Sequence, residues 1–357
     1  MRKSDHRSPE GRGRRLGEVS DAVAAPTIVA LGPVPALVEE RLKTFGRLVT
    51  VGEAESWSPS LLSGAVGLVA RGSSVVDEQL LALAPCLRVI GRSGVGVELV
   101  DLRAATRRKI PVVVTPGAGS EAVAEGTLAL ILSLVKRLAR LTELVRTQSW
   151  SERETVSIGD LHGACLGLVG YGNIGRRVAE LAMVFGMRVA VYDPYLVPGS
   201  ADDRVEVLSL ERLLGVADVL SLHAPLTKET RGLIGAEELG LLKKGAVLVN
   251  CARGGLVDLD AVYDALMAGR LAGVGIDVFD PEPPQDHPVL QHPNVVLTPH
   301  VMGLTPRARR LTFQAMADGM VAVLAGGRAL HIANPELYEQ DRNIAAASCS
   351  GTGARDD

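Results

Sequence analysis

Leu166–Glu180 reads LGLVGYGNIGRRVAE: an apolar run, a Gly-x-Gly-x-x-Gly turn and the start of a helical pattern, in that order. A glycine-rich turn alone is weak evidence. Between a strand and a helix it is the signature of a dinucleotide-binding βαβ unit. Gly170 permits the tight turn, Gly172 lets the backbone approach a pyrophosphate, and Gly175 lets the helix pack on its strand. The free N–H groups from Asn173 onward face the phosphates, and the helix dipole favours their charge. A helical apolar pattern follows (Val178, Leu181, Ala182, Phe185), then a second strand, Arg188–Tyr192, which ends at Asp193. Asp193 lies 18 positions after Gly175, where such folds place the carboxylate that binds the adenosine ribose. A carboxylate there repels a 2′-phosphate, and Pro194 and Tyr195 offer no cation to hold one. NAD is therefore expected rather than NADP.

A chain of 357 residues suggests two domains, and 47% hydrophobic residues supply two cores. A charged fraction of 22% and a net charge of −3 argue against nucleic acid and anionic membrane surfaces. The cysteines Cys86, Cys165, Cys251 and Cys349 are far apart, which fits a reducing cytoplasm and offers no metal framework. Leu128–Val135 is too short to span a bilayer. Residues 1–25 are polar and Arg-rich and lack the apolar segment of a secretory signal. Asp5, Glu10 and Glu18 interrupt the basic character of a transit peptide, so a disordered tail is expected. Residues 339–357 read the same way.

Strand and helix signals alternate along the rest. Strands are expected at Thr27–Leu31, Val66–Ala70, Val89–Gly91 and Val112–Val114, with a helix at Pro35–Phe45. Ser120 opens a long helix, Ser120–Val123 forming its cap region, and an apolar stripe runs through Leu128, Ile131, Leu134 and Val135. It is expected to bridge two domains. Further strands follow at Val219–Leu222, Ala246–Asn250, Gly273–Asp277 and Val295–Thr298, and a helix at Pro306–Leu324 is expected to cross back to the first domain. Alternation of this kind implies an α/β architecture of parallel sheets with helices on both faces. His223, Arg253, Asp277 and His300 lie at or just beyond strand C-termini, where open parallel sheets bind ligands.

Three late residues suit hydride transfer on a 2-oxo acid. Arg253 can hold a carboxylate and polarise a carbonyl through its planar fork. His300 has the residue type that exchanges protons near neutral pH, and Glu282 could stabilise its imidazolium. Taken singly, each is better explained by a solvated or phosphate-binding arginine, an exposed loop glutamate or a histidine ending a strand.

The segments GRSGVGVELVD, TPGAGSEAVAEGTLAL, LGLVGYGNIGRRVAEL, SLHAPLTKETRGLI, VLVNCARGGLVD, GIDVFDPEPP and LTPHVMGLT together resemble the D-isomer-specific 2-hydroxyacid dehydrogenases, closest to the D-3-phosphoglycerate dehydrogenase branch. The resemblance runs from Thr27 to Tyr338. It implies two doubly wound domains, a Rossmann NAD-binding domain (118–303) inserted in a flavodoxin-like, discontinuous substrate domain (26–117 and 304–338). It places the catalytic Arg, Glu and His on Arg253, Glu282 and His300, with the family's spacings of 29 and 18. It implies cofactor contacts from Val95, Gly170, Gly172, Asn173, Ile174, Gly175, Asp193, His223, Ala224, Pro225, Cys251, Ala252, Arg253, Asp277, His300 and Gly303. Ser93, Gly94, Val95 and Gly96 would face the substrate together with Arg253 and His300. Arg71 and Arg92 suit an anionic tail such as a phosphate or second carboxylate. The helix from Ser120 would contribute to a homodimer.

The chain departs from the family pattern at Glu98-Leu99 (usually Asp-Asn), Val114 and Gly119 (usually Asn), Gly126 (usually bulkier) and Met302 (usually small). These changes leave the reaction type intact and open the substrate, with 3-phosphoglycerate, hydroxypyruvate, glyoxylate and a phosphonate analogue as candidates. With no regulatory domain after Tyr338, serine feedback is not expected. The alternative function is an NAD-sensing corepressor on the same fold. Formate oxidation fits poorly, because that subgroup lacks the Glu-His pairing.

Overall fold

The computed structural model describes residues 25–52, 58–72 and 74–339. The expected tails therefore lie outside the described residues, apart from Ala25 and Glu339. The first unit contains β1 (Thr27–Leu31), α1 (Ala36–Lys43), β2 (Arg47–Val51), α2 (Pro59–Ser63), β3 (Ala65–Ala70), α3 (Glu78–Leu83), β4 (Val89–Arg92), α4 (Leu102–Arg107) and β5 (Val112–Val113). Its strands are all parallel, in the order β2-β1-β3-β4-β5. This is the flavodoxin-like doubly wound order.

Then come α5 (Ser120–Val135), α6 (Leu138–Arg146), β6 (Cys165–Val169), α7 (Asn173–Val184), β7 (Arg188–Tyr192), β8 (Val205–Val207), α8 (Leu210–Val216), β9 (Val219–Leu222), α9 (Ala236–Leu241), β10 (Ala246–Asn250), α10 (Leu259–Met267), β11 (Leu271–Ile276), β12 (Val295–Leu297) and α11 (Pro306–Leu324). The second sheet is also parallel, ordered β12-β11-β10-β9-β6-β7-β8. The order reverses between β6 and β9, which opens a crevice at their C-terminal ends.

The central strands are apolar at nearly every position because helices cover both faces. All five residues of β6 and of β10 are buried. A fully buried Leu or Val contributes roughly 1.5–3 kcal/mol, so these runs hold the strand ends that carry the site.

Helix α5 packs on α7 and against β10, β11 and β12, and it also meets α11. Ser120 is its first helical residue, so the N-cap is Gly119, which has no side chain to offer. Helix α11 returns to the first sheet, packing on α1, β3 and β4. The chain beyond it is pinned to β5 by Asn334. The buried Asn334 side chain accepts from the Val112 amide at 3.0 Å and donates to the Ile110 carbonyl at 3.0 Å. An antiparallel bridge between Val113 and Ile332 covers part of that sheet edge.

Candidate active site

The glycine turn has the shape a pyrophosphate requires. Gly170 has φ +96°, and a Cβ on it would lie 2.7 Å from the His223 carbonyl carbon. A Cβ on Gly175 would lie 2.2 Å from the Gly170 carbonyl oxygen, so the helix can sit on its turn only with glycine there. Gly172, by contrast, faces open space. It caps α7, whose first residues are Asn173 and Ile174. A backbone cradle at a helix N-terminus, open where Gly172 stands, fits the diphosphate of a dinucleotide.

Asp193 stands at the end of β7, beside β6. Its carboxylate accepts the Tyr171 amide at 2.8 Å and the Tyr195 amide at 2.9 Å. Each oxygen keeps a lone pair for a ribose hydroxyl. The donor set therefore fits a dinucleotide, which these residues would hold.

His223 follows β9, under the glycine turn. Its Nε2 pairs with the Ser221 hydroxyl at 2.9 Å, while Nδ1 is buried with no partner among the described residues. Burial pushes its pKa down to about 4, so the ring is neutral at pH 7. The glycine turn meets its backbone rather than its charge. Cys251 is also buried, and burial pushes its thiol up to about 12. It is a protonated packing group. Ala224 and Pro225 follow His223, and the Pro225 carbonyl accepts from the Thr230 hydroxyl at 2.7 Å.

Arg253 follows β10, Glu282 follows β11 and His300 follows β12, three adjacent parallel strands. His300 Nδ1 and Glu282 Oε2 lie 2.7 Å apart, and Glu282 Oε1 accepts the Phe279 amide at 2.9 Å. The second bond fixes the carboxylate, and the carboxylate fixes the imidazole. The Arg253 turn is braced by Asn250, whose amide donates to the Arg253 carbonyl at 2.8 Å and accepts from the Ala252 amide at 3.0 Å. Asn250 was not singled out from the sequence. A buried amide at the end of an apolar strand was the available signal, since such groups organise loops.

The His300 turn has its own organiser. His300 has φ +52°, a left-handed conformation that costs a non-glycine residue about 1 kcal/mol. Asp277, 2% exposed, holds it there. The Asp277 carbonyl accepts the His300 amide at 2.7 Å. Its carboxylate accepts from the Thr298 hydroxyl at 2.6 Å, the Val301 amide at 3.0 Å and the Met302 amide at 3.3 Å. Asp277, expected as a cofactor contact, thus also clamps residues 298–302.

Two unusual residues of the sequence prove to be neighbours. A Cβ on Gly126 would lie 2.3 Å from Met302 Sδ and 2.9 Å from Met302 Cβ. Helix α5 thus gives up a side chain where Met302 seats, next to the His300 turn; Gly303 beside it packs towards Val123. Gly126→Ala is expected to displace the turn, costing about 1–3 kcal/mol of stability by overpacking and lowering kcat about tenfold. Adding Met302→Ala should restore much of both, measured by thermal melts and steady-state rates in a double-mutant cycle.

At the end of β4 in the first unit, Arg92 is buried. Its guanidinium donates to the carbonyls of Gly96 at 3.0 Å, of Gly72 at 3.5 Å and of Arg71. It therefore braces the loops at the ends of β3 and β4, a structural duty beside the expected role toward an anionic tail. The Arg71 guanidinium makes no hydrogen bond or ion pair among the described residues. Val95 is 52% exposed beside Ser93, Gly94 and Gly96 in the loop after β4. Arg253 Nε donates to Glu98 Oε1 at 2.6 Å, a contact absent from the sequence reading.

Residues 128–302 match a family model described as D-isomer specific 2-hydroxyacid dehydrogenase, NAD binding domain. The chain is 39% identical over 277 residues to a D-3-phosphoglycerate dehydrogenase of Methanocaldococcus jannaschii, covering 77% of this chain and 53% of that protein. It thus spans about half the length of that relative. A hydroxypyruvate reductase of Thermotoga maritima is 37% identical, covering 68% of this chain and 79% of its own length. Among solved structures, the TT0316 protein of Thermus thermophilus is 37% identical with TM-score 0.78, covering 86% of this chain and 99% of that one. A D-lactate dehydrogenase of Aquifex aeolicus, complexed with NAD and lactic acid, is 29% identical with TM-score 0.76, covering 88% and 98%.

Proposed function

Since the chain belongs to the D-isomer-specific 2-hydroxyacid dehydrogenase family, we propose that it is an NAD-dependent oxidoreductase interconverting a D-2-hydroxy acid and its 2-oxo acid. The observation that carries this is the His300–Glu282 pair, 2.7 Å apart, on strand ends next to Arg253. NAD, held by the glycine turn and Asp193, would supply or accept the hydride. Arg253 holds the substrate's carboxylate and draws electron density from its C2 carbonyl. His300 gives its proton to the C2 oxygen in reduction and takes it back in oxidation. Glu282 stabilises the imidazolium by charge and fixes which ring nitrogen faces the substrate. Asp193 holds the ribose and disfavours a 2′-phosphate.

Arg71 supports a substrate with an anionic tail, because its cation has no internal partner among the described residues. A 3-phosphoglycerate-like acid fits best, with hydroxypyruvate or glyoxylate next. A homodimer is supported by Leu138, Val145 and Trp150, exposed on α6 and the turn after it. A reducing, cytoplasmic setting suits the free thiols of Cys86, Cys165 and Cys251.

The test is NADH oxidation with 3-phosphohydroxypyruvate, hydroxypyruvate and glyoxylate, repeated with NADPH. Turnover is expected with NADH, fastest on the phosphorylated acid. Tight NADH binding without turnover on any acid would replace this proposal with the NAD-sensing one.

A further inference from the structure

Arg253 is to hold an incoming carboxylate, yet a carboxylate already holds it. Glu98 stands between β4 and α4 in the first unit, and Arg253 follows β10 in the second, so the pair spans the cleft between them. Arg253 Nε donates to Glu98 Oε1 at 2.6 Å, and its Nη1 donates to the Ala252 carbonyl at 2.6 Å. Both side chains lie against Gly96, where a Cβ would come within 2.6 Å of Glu98 Oε2 and 2.7 Å of Arg253 Nη2. Burial favours the neutral acid at Glu98. The hydrogen bond and charge of Arg253, with the charge of Arg92, outweigh it and hold the carboxyl below its ordinary range. Glu98 is therefore ionised at pH 7. Its side chain is 44% exposed and that of Arg253 is 27%, so solvent and ligand reach both.

A guanidinium grips a carboxylate best with two parallel N–H groups from one edge. Glu98 takes the Nε position and the Ala252 carbonyl takes one Nη1 hydrogen. An arriving anion meets an already neutralised cation and a fork with two donors engaged. We infer that Glu98 is an internal competitor for Arg253, occupying the place of the substrate's carboxylate until a 2-oxo acid displaces it; this rests on the 2-oxo acid chemistry proposed above. The consequence is a higher threshold for every incoming anion. A plain carboxylate offers Arg253 no more than Glu98 already does. A 2-oxo acid adds a carbonyl for Arg253 and His300, and so wins the exchange.

The test compares wild type, Glu98→Gln and Glu98→Ala, each saturated with NADH. Calorimetry would measure the binding of oxamate, an unreactive 2-oxo acid mimic, and of acetate. The pair is partly exposed and worth up to about 1 kcal/mol, so both variants should bind oxamate tighter, by up to about fivefold. Acetate should gain by about the same factor, because the same competitor is removed for both, and thermal melts check that the fold is kept. Unchanged or weaker oxamate binding in both variants would overturn the inference and make Glu98 a positioning residue for Arg253. If wild type neither binds oxamate nor reduces any 2-oxo acid, the proposed activity fails as well. Wild-type binding without a gain in the variants removes the Glu98 inference alone.

Discussion

His300→Ala should lower kcat by about 10²–10⁴-fold while NADH still binds, because the substitution removes the proposed proton carrier and leaves the glycine cradle intact. The backbone complicates the alanine variant. His300 occupies a left-handed conformation that alanine tolerates poorly and asparagine tolerates better. His300→Asn is therefore the sharper companion. It keeps a polar side chain suited to that turn but cannot exchange a proton. A comparable loss in both variants assigns the defect to chemistry. Recovery of turnover in the asparagine variant would assign it to the turn and remove His300 as the acid–base group. Single-turnover rates and NADH fluorescence titrations separate the two.

The fold was legible where burial is two-sided. Strands β1, β6, β7, β9 and β10 are apolar runs between helices, and such runs announce themselves in sequence. The edge strands β2 and β8 were missed. Strand β2 has no fully buried residue, and β8 has three residues with only Val205 buried, so neither has the pattern that marks a strand. The pairing of His300 with Glu282 was accessible because 18 positions separate them and the resemblance named both. Glu98 and Arg253 lie 155 positions apart on different sheets, and spacing carries no sign of their contact. The bracing duty of Arg92 was hidden for another reason. An arginine at a strand end reads as a free cation until its burial is known. Gly126 and Met302 each looked anomalous alone, and only packing makes one the space for the other.

The second large effect is expected at Asp277. Asp277→Ala strips the acceptor for the Val301 and Met302 amides and the Thr298 hydroxyl from a part-buried turn that closes over the buried carboxylate. Each lost hydrogen bond to the carboxylate costs about 1.5–3 kcal/mol, so the turn should loosen and its donors turn to water. Opening releases the left-handed backbone at His300 and separates the imidazole from Glu282. A kcat loss of about 10²–10³-fold should follow, approaching that of removing His300 itself. Asp277→Asn discriminates between a clamp and a direct cofactor contact. Its amide oxygen can accept from the Val301 side, while its NH₂ group opposes the Met302 amide. With a clamp, hydrogen exchange at residues 300–302 rises in the asparagine variant, and kcat falls far more than NADH affinity. With a cofactor contact alone, exchange there stays protected and NADH affinity carries the loss. The internal bonds favour the first outcome, because the Asp277 carboxylate already accepts three donors from the turn that presents His300.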